Sequence, residues 1–146
     1  MARLPRTHRE TFCSMKISFM ASRSPDADLA INTLSEMYQN VPPEEADVIV
    51  ALGGDGFMLE AIHRNLSLGL PIYGMNRGTV GFLLNQFNEN DLLRRLENAH
   101  EEKLRPLHMR VTTDSGIQQD AYGFNEVSLL RQTRQAANIQ VSIDGK

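Results

Sequence analysis

Five consecutive apolar residues, Val48, Ile49, Val50, Ala51 and Leu52, run directly into Gly53-Gly54-Asp55-Gly56, and an apolar helical pattern follows from Phe57. A continuous run rich in branched side chains is the kind of strand that a parallel sheet buries on both faces. Three glycines around one carboxylate leave the main chain open to close approach, so a nucleotide phosphate or hydroxyl can meet backbone and acid together. This is the geometry of a site as well as of a turn.

The surrounding pattern supports that strand with alternating elements. Ile17, Phe19 and Ala21 alternate with polar residues as a short strand does, and Ser22 to Asp28 supplies helix-start residues before Leu29 to Tyr38. Leu29, Ile31, Leu34 and Met37 are expected near one helical face, which Pro42 and Pro43 terminate. A second helix is expected through Phe57, Leu59, Ile62 and Leu66, closed by Gly69 and Pro71. Ile72 and Tyr73 read as a third strand, Gly74 to Leu84 as a glycine-containing loop, and Asn88 to Asp91 as the cap of a helix through Leu92, Leu93 and Leu96. This alternation predicts a doubly wound parallel α/β domain over residues 15–104.

The pattern changes after Lys103. Leu107, Met109 and Val111 alternate, Asp114-Ser115-Gly116 marks a turn, and Ile117 to Leu130 and Ile139 to Ile143 are strand candidates. Residues 105–146 are therefore expected to begin an all-β domain. Asp144-Gly145 after an alternating run is a two-residue hairpin signal with no returning strand, which points to a fragment of a longer protein or to an edge open to pairing.

Charge and composition narrow the partners. With 146 residues, a net charge of −3 and no long apolar run, neither nucleic acid nor a membrane is expected, and small molecules are the favoured partners. A single cysteine, Cys13, excludes an intrachain disulfide framework and suits a reducing, cytoplasmic setting. Residues 1–14 carry Arg3, Arg6, His8 and Arg9 against Glu10 alone, as a disordered basic extension would; an Arg-rich presequence is the other reading, and Met15 is a candidate start of translation.

A strand, a glycine turn and a helix N-terminus offer amides and a positive dipole end to an anion. Asp55 would repel phosphate there unless it accepts a proton from an attacking hydroxyl or organises a divalent cation, and both tasks belong to phosphoryl transfer. The fingerprints of P-loop and ordinary dinucleotide-binding folds are missing. The structural alternative is that Asp55 caps a helix beginning at Phe57.

Gly53-Gly54-Asp55-Gly56 resembles the signature shared by NAD kinases and by diacylglycerol and sphingoid lipid kinases. Gly74-Met75-Asn76-Arg77-Gly78-Thr79-Val80-Gly81-Phe82-Leu83 resembles the NAD kinase loop G-x-N-x-G-x-x-G-F-L, and Phe124-Asn125-Glu126-Val127 resembles that family's Asn-Glu motif. The likeness runs from about Lys16 to Lys146. It implies transfer of the terminal phosphate of ATP, or of polyphosphate, to the 2′-hydroxyl of the adenosine ribose of NAD, with a divalent cation such as Mg2+. It further implies Asp55 as proton acceptor, Gly56 as a point of close substrate approach, Asn125 and Glu126 as ligands of the adenine and ribose, and Gly53, Gly54, Asn76 and Phe82 as cleft residues. Homo-oligomers built through the β domain are expected by the same likeness.

Each of these residues also has a structural reading. Asn76 could satisfy turn backbone, Phe82 with Leu83 and Leu84 could be core, and Asn125-Glu126 could be an exposed strand end. His63 and His108 lack partners at metal-ligand spacing and read as surface, as do Arg131 and Arg134. Phe57 stands where family members often carry Thr or Asn, and the later glycine-rich segment with Thr and Ser, expected to hold substrate and donor phosphates, does not occur before Lys146. A chain of these residues alone is expected to be weakly active or inactive. The competing functions are a lipid kinase domain and a non-catalytic nucleotide-binding fragment.

Overall fold

A computed structural model describes residues 15–78 and 81–146. The readings made for residues 1–14, and for Thr79 and Val80 of the glycine loop, lie outside them. The chain divides into two compact units, one ending at Arg105 and the other spanning Pro106–Lys146.

The first unit is built on a parallel sheet of β1 (Ile17–Ala21), β2 (Val48–Gly53), β3 (Ile72–Asn76) and β4 (Asn85–Gln86), in that spatial order. All six residues of β2 are buried, with β1 on one side and β3 on the other. The register aligns Ile17 with Val48 and Phe19 with Val50, so alternate residues of neighbouring strands share a face. On one face Ile17, Phe19, Val48, Val50, Leu52 and Met75 meet helices α1 (Pro25–Met37) and α3 (Leu92–Glu97) through Ala30, Leu34 and Leu92. On the other, Ala51, Met20 and Ile72 meet helix α2 (Asp55–Arg64) through Met58 and Ala61. Helices cover both faces, as the doubly wound α/β reading expects, and each fully buried Val, Leu or Ile contributes about 1.5–3 kcal/mol.

Helix α1 starts where the sequence signals it. Ser24 is its extended N-cap and accepts a hydrogen bond from the Ala27 amide at 3.3 Å, Pro25 occupies the first turn, and Asp26 and Asp28 face the positive end of the dipole. Its buried stripe differs from the one expected. Ala27, Ala30 and Leu34 face the core, whereas Leu29 and Met37 are 63% and 47% exposed. Small alanines let the helix lie close to β1 and β2, and the helical period from Ala27 then passes through Ala30 and Leu34, leaving Leu29 off the stripe.

Helix α2 also departs from the sequence reading at both ends. Its N-cap is Gly54, in extended conformation and without a side-chain cap, and Asp55 is the first helical residue, its carboxylate bonded to the Phe82 and Leu83 amides. It ends at Arg64 because the buried Asn65 turns its side chain back, Nδ2 donating to the Ala61 carbonyl at 2.8 Å. A single 3-10 turn at Leu66–Leu68 then leads to Gly69 at φ 63, and Leu66 is exposed. Strand β3 runs on through Gly74 and Met75 to Asn76, because the ladder with β2 continues to Gly53, so part of the expected loop is strand. Strand β4 was not foreseen; a polar Asn-Gln pair gives no periodic signal, and its pairing with Met75 and Asn76 makes it a strand.

Asp91, at φ 54, precedes α3 without capping it. The hydroxyl of Tyr38 takes that role, accepting from the Leu92 amide at 3.2 Å and donating to the Glu89 carbonyl at 3.0 Å, which ties the end of α1 to the start of α3.

The second unit holds the antiparallel hairpin of β5 (Leu107–Thr112) and β6 (Gln118–Gly123). Its turn closes through the Gly116 amide on the Thr113 carbonyl at 2.8 Å, with Gly116 at φ 80. Strand pairing stops at Gly123, short of the expected Leu130. Ile139 to Ile143 is likewise not a strand, because no neighbouring strand pairs with it among the described residues. The Asp144-Gly145 signal is nevertheless realised: Ile143 and Lys146 exchange both backbone hydrogen bonds, at 2.9 and 3.0 Å, and Asp144 and Gly145 have φ of 51 and 77. Positive φ at both central residues is the two-residue hairpin geometry.

Tyr38→Phe removes both hydroxyl bonds between α1 and α3, and equilibrium urea unfolding is expected to show a loss of about 1–2 kcal/mol. A second variant addresses the opposite face, where a Cβ on Gly74 would stand 2.2 Å from Leu84 Cδ2. Gly74→Ala is expected to cost about 1–3 kcal/mol by the same measurement, and Leu84→Ala in the same chain to recover part of that loss.

Candidate active site

The candidate site lies at the carboxyl ends of the parallel strands, the edge where open α/β sheets bind ligands. The last residue of β2, Gly53, is in register with the last residue of β3, Asn76, and the Gly53 carbonyl accepts from the Arg77 amide at 2.8 Å. Two chain segments are thereby brought together: Gly54-Asp55-Gly56 entering α2, and Arg77 onward leaving β3.

Asp55 joins them. Its Oδ2 accepts from the Phe82 amide at 2.9 Å and its Oδ1 from the Leu83 amide at 3.0 Å. The carboxylate read as a helix cap in the structural alternative is therefore bonded instead to a loop 27 and 28 residues away. A carboxylate oxygen has about two acceptor positions, so a single amide on each does not exhaust its accepting capacity.

The glycines separate into two kinds. At Gly53 a Cβ would fall 2.9 Å from the Phe57 side chain, whereas at Gly54 and Gly56 it would meet none of the described residues within 4 Å. Open space at Gly54 and Gly56 is what a cleft requires. Asn76 Oδ1 accepts from the Gly78 amide at 2.8 Å, as the turn-forming reading expects. The neighbouring Arg77 lies 4.2 Å over the Phe87 ring and donates from Nε to the Asp26 carbonyl at 3.1 Å, which fixes the loop against the start of α1. Phe82 is 95% exposed, which removes the core reading for that ring.

In the second unit, Asn125 and Glu126 follow the hairpin, both exposed, with Asn125 Nδ2 donating to Glu126 Oε2 at 3.1 Å. His108 lies on the outward side of β5, its Nε2 2.8 Å from Asp120 Oδ1 and its ring stacked on Tyr122 at 5.2 Å. Arg110 Nε also reaches Asp120, at 3.1 Å. Exposed pairs of this kind contribute about 0–1 kcal/mol, so they read as hairpin surface. Arg131 donates to the Gln135 carbonyl at 2.9 Å.

Residues 6–104 match the model of the ATP-NAD kinase N-terminal domain. The chain is also 51% identical to the NAD kinase of Cereibacter sphaeroides over 131 residues, 90% of this chain and 52% of that protein. The NAD kinases of Xylella fastidiosa and Caulobacter vibrioides are each 50% identical over 131 residues, again 90% of this chain and 50% of the relative. The chain belongs to the NAD kinase family. It spans about half the length of the curated relatives it matches.

In the sequence Gly81 carries no signal beyond the loop motif, yet a Cβ there would stand 2.8 Å from Asp55 Oδ1. Only the fold, which brings position 81 against position 55, reveals that constraint.

Phe82→Ala tests the cleft reading against a core role. A ring this exposed is expected to change the unfolding free energy by no more than about 0.5 kcal/mol in urea titration, whereas a packed ring would cost about 3 kcal/mol or more.

Proposed function

We propose that the protein transfers the terminal phosphate of ATP, or of polyphosphate, to the 2′-hydroxyl of the adenosine ribose of NAD, giving NADP. The observation that carries this reading is Asp55 in the first turn of α2, beside a Gly56 whose missing side chain would meet none of the described residues within 4 Å. A hydroxyl brought to that opening can donate to the lone pair left on either Asp55 oxygen. As the phosphoryl group arrives, the hydroxyl proton passes to the carboxylate, a late transfer suited to a weak base. Gly53 and Gly54 keep the backbone close to the ligand, Asn76 shapes the loop, and exposed Phe82 offers an apolar face to a nucleotide. Asn125 and Glu126 would hold the adenine and ribose by amide and carboxylate hydrogen bonds.

Among the described residues no group of three or more His, Cys, Asp or Glu side chains is placed to hold a metal. This donor set does not fit a protein cage for the divalent cation. Mg2+ bound mainly through nucleotide phosphates and water needs no such cage. No helix among the described residues is long and apolar enough to cross a membrane. A cytoplasmic homo-oligomer, with no nucleic-acid partner, completes the proposal.

A lipid kinase is the competing reading of Gly53-Gly54-Asp55-Gly56. The 50–51% identity to curated NAD kinases favours the dinucleotide.

Isothermal calorimetry is expected to show NAD binding that Asn125→Ala weakens. In an assay of NADP formation with ATP or polyphosphate and Mg2+, Asp55→Asn is expected to lower kcat by about 100-fold with KM for NAD changed only a few-fold. Phosphorylation of diacylglycerol in place of NAD, or full turnover by Asp55→Asn, would reject the proposal.

A further inference from the structure

A carboxylate at a helix N-terminus commonly interacts with the free amides and the positive dipole end of the first turn. The Asp55 carboxylate is engaged at both oxygens by consecutive amides, those of Phe82 and Leu83. Two donors on two oxygens fix the plane of the carboxylate as well as its position. Gly81 makes this possible. A side chain there would bring its Cβ to 2.8 Å from Oδ1, 3.4 Å from Cγ of Asp55 and 3.3 Å from Leu84 Cδ1, so either the carboxylate or the loop would have to move.

The segment is anchored just after Gly81. Leu84 fills the space beside Gly74, where a Cβ would be 2.2 Å from its Cδ2, and packs with Met58 and Ala61 of α2. The segment is thus pinned to the sheet just beyond the point at which it grips Asp55.

We infer that Gly81, together with the main-chain amides of Phe82 and Leu83, is the positioning element that sets the orientation of the Asp55 carboxylate. The positioning is a property of the folded chain. Its consequence for catalysis rests on the NAD phosphorylation proposed above. Gly81 touches no reacting atom; it acts through Asp55.

Nuclear magnetic resonance of the chain tests the contact without substrate. In the parent, the Phe82 and Leu83 amide protons are expected to shift along the same titration curve as the Asp55 side-chain carboxyl carbon. In Gly81→Ala that common response is lost, while Gly78→Ala, whose Cβ would meet Asn76 Oδ1 at an ordinary 3.8 Å and no other described residue within 4 Å, retains it. Should Gly81→Ala fail to fold, Asp55→Asn provides the second arm. Loss of the charge-assisted bonds is expected to speed hydrogen exchange at Phe82 and Leu83 by about ten-fold, with β2 amides unchanged.

Amides that still follow the Asp55 curve in Gly81→Ala, or exchange unaltered in Asp55→Asn, would overturn the positioning. In the NADP-forming assay, Gly81→Ala is expected to lower kcat at least about ten-fold with KM for NAD within two-fold. A change in KM alone would make Gly81 a binding determinant and overturn the inference. Intact spectroscopic coupling in a parent that binds no NAD would reject the function and leave the clasp standing.

Discussion

Strand β2 exposes none of its six residues and is hydrogen-bonded along both edges, so every other part of the first unit is placed relative to it. Burial on both faces demands a helix on each side. Alternation of side chains then decides which residues each helix meets, Val48, Val50 and Leu52 on one face and Ala51 on the other. The ladder also dictates where the chemistry lies. Because β2 and β3 end together, at Gly53 and Asn76, the segments that follow them emerge side by side and can share a carboxylate.

The parts of this arrangement that are legible in sequence are those with a local physical cause. Val48 to Leu52 announces its own burial, and Ser24-Pro25 announces the start of α1 through capping and a fixed φ. Asp144-Gly145 specifies its turn from two residues alone, even though no strand returns beside Ile139 to Ile143. Where the cause is distant, the reading fails. Leu29 is hydrophobic but exposed, because closeness to the sheet selected the small Ala27 and Ala30 for the buried stripe. Asn85-Gln86 becomes strand only because Met75 and Asn76 offer it a free edge.

The candidate site shows the same division. Asp55 and its flanking glycines stand out as a linear motif, and family resemblance connects them with Asn76, Phe82, Asn125 and Glu126. The clasp between Asp55 and the Phe82 and Leu83 amides has no linear signature, since it joins residues 27 and 28 positions apart through the end of a ladder. A cap at the start of α2 was the natural local alternative for that carboxylate. The tertiary contact offers two charge-assisted bonds from adjacent amides.

The open space beside Gly56 separates two demands that most positions in a fold must meet together. Packing constrains a residue from within the molecule, and here no described residue comes within 4 Å of the missing side chain. No side chain among the described residues limits what position 56 can carry. A methyl group added there becomes a nearly silent change in the free protein and a steric probe in any complex, so this single atom can report the distance of approach of a bound molecule independently of stability.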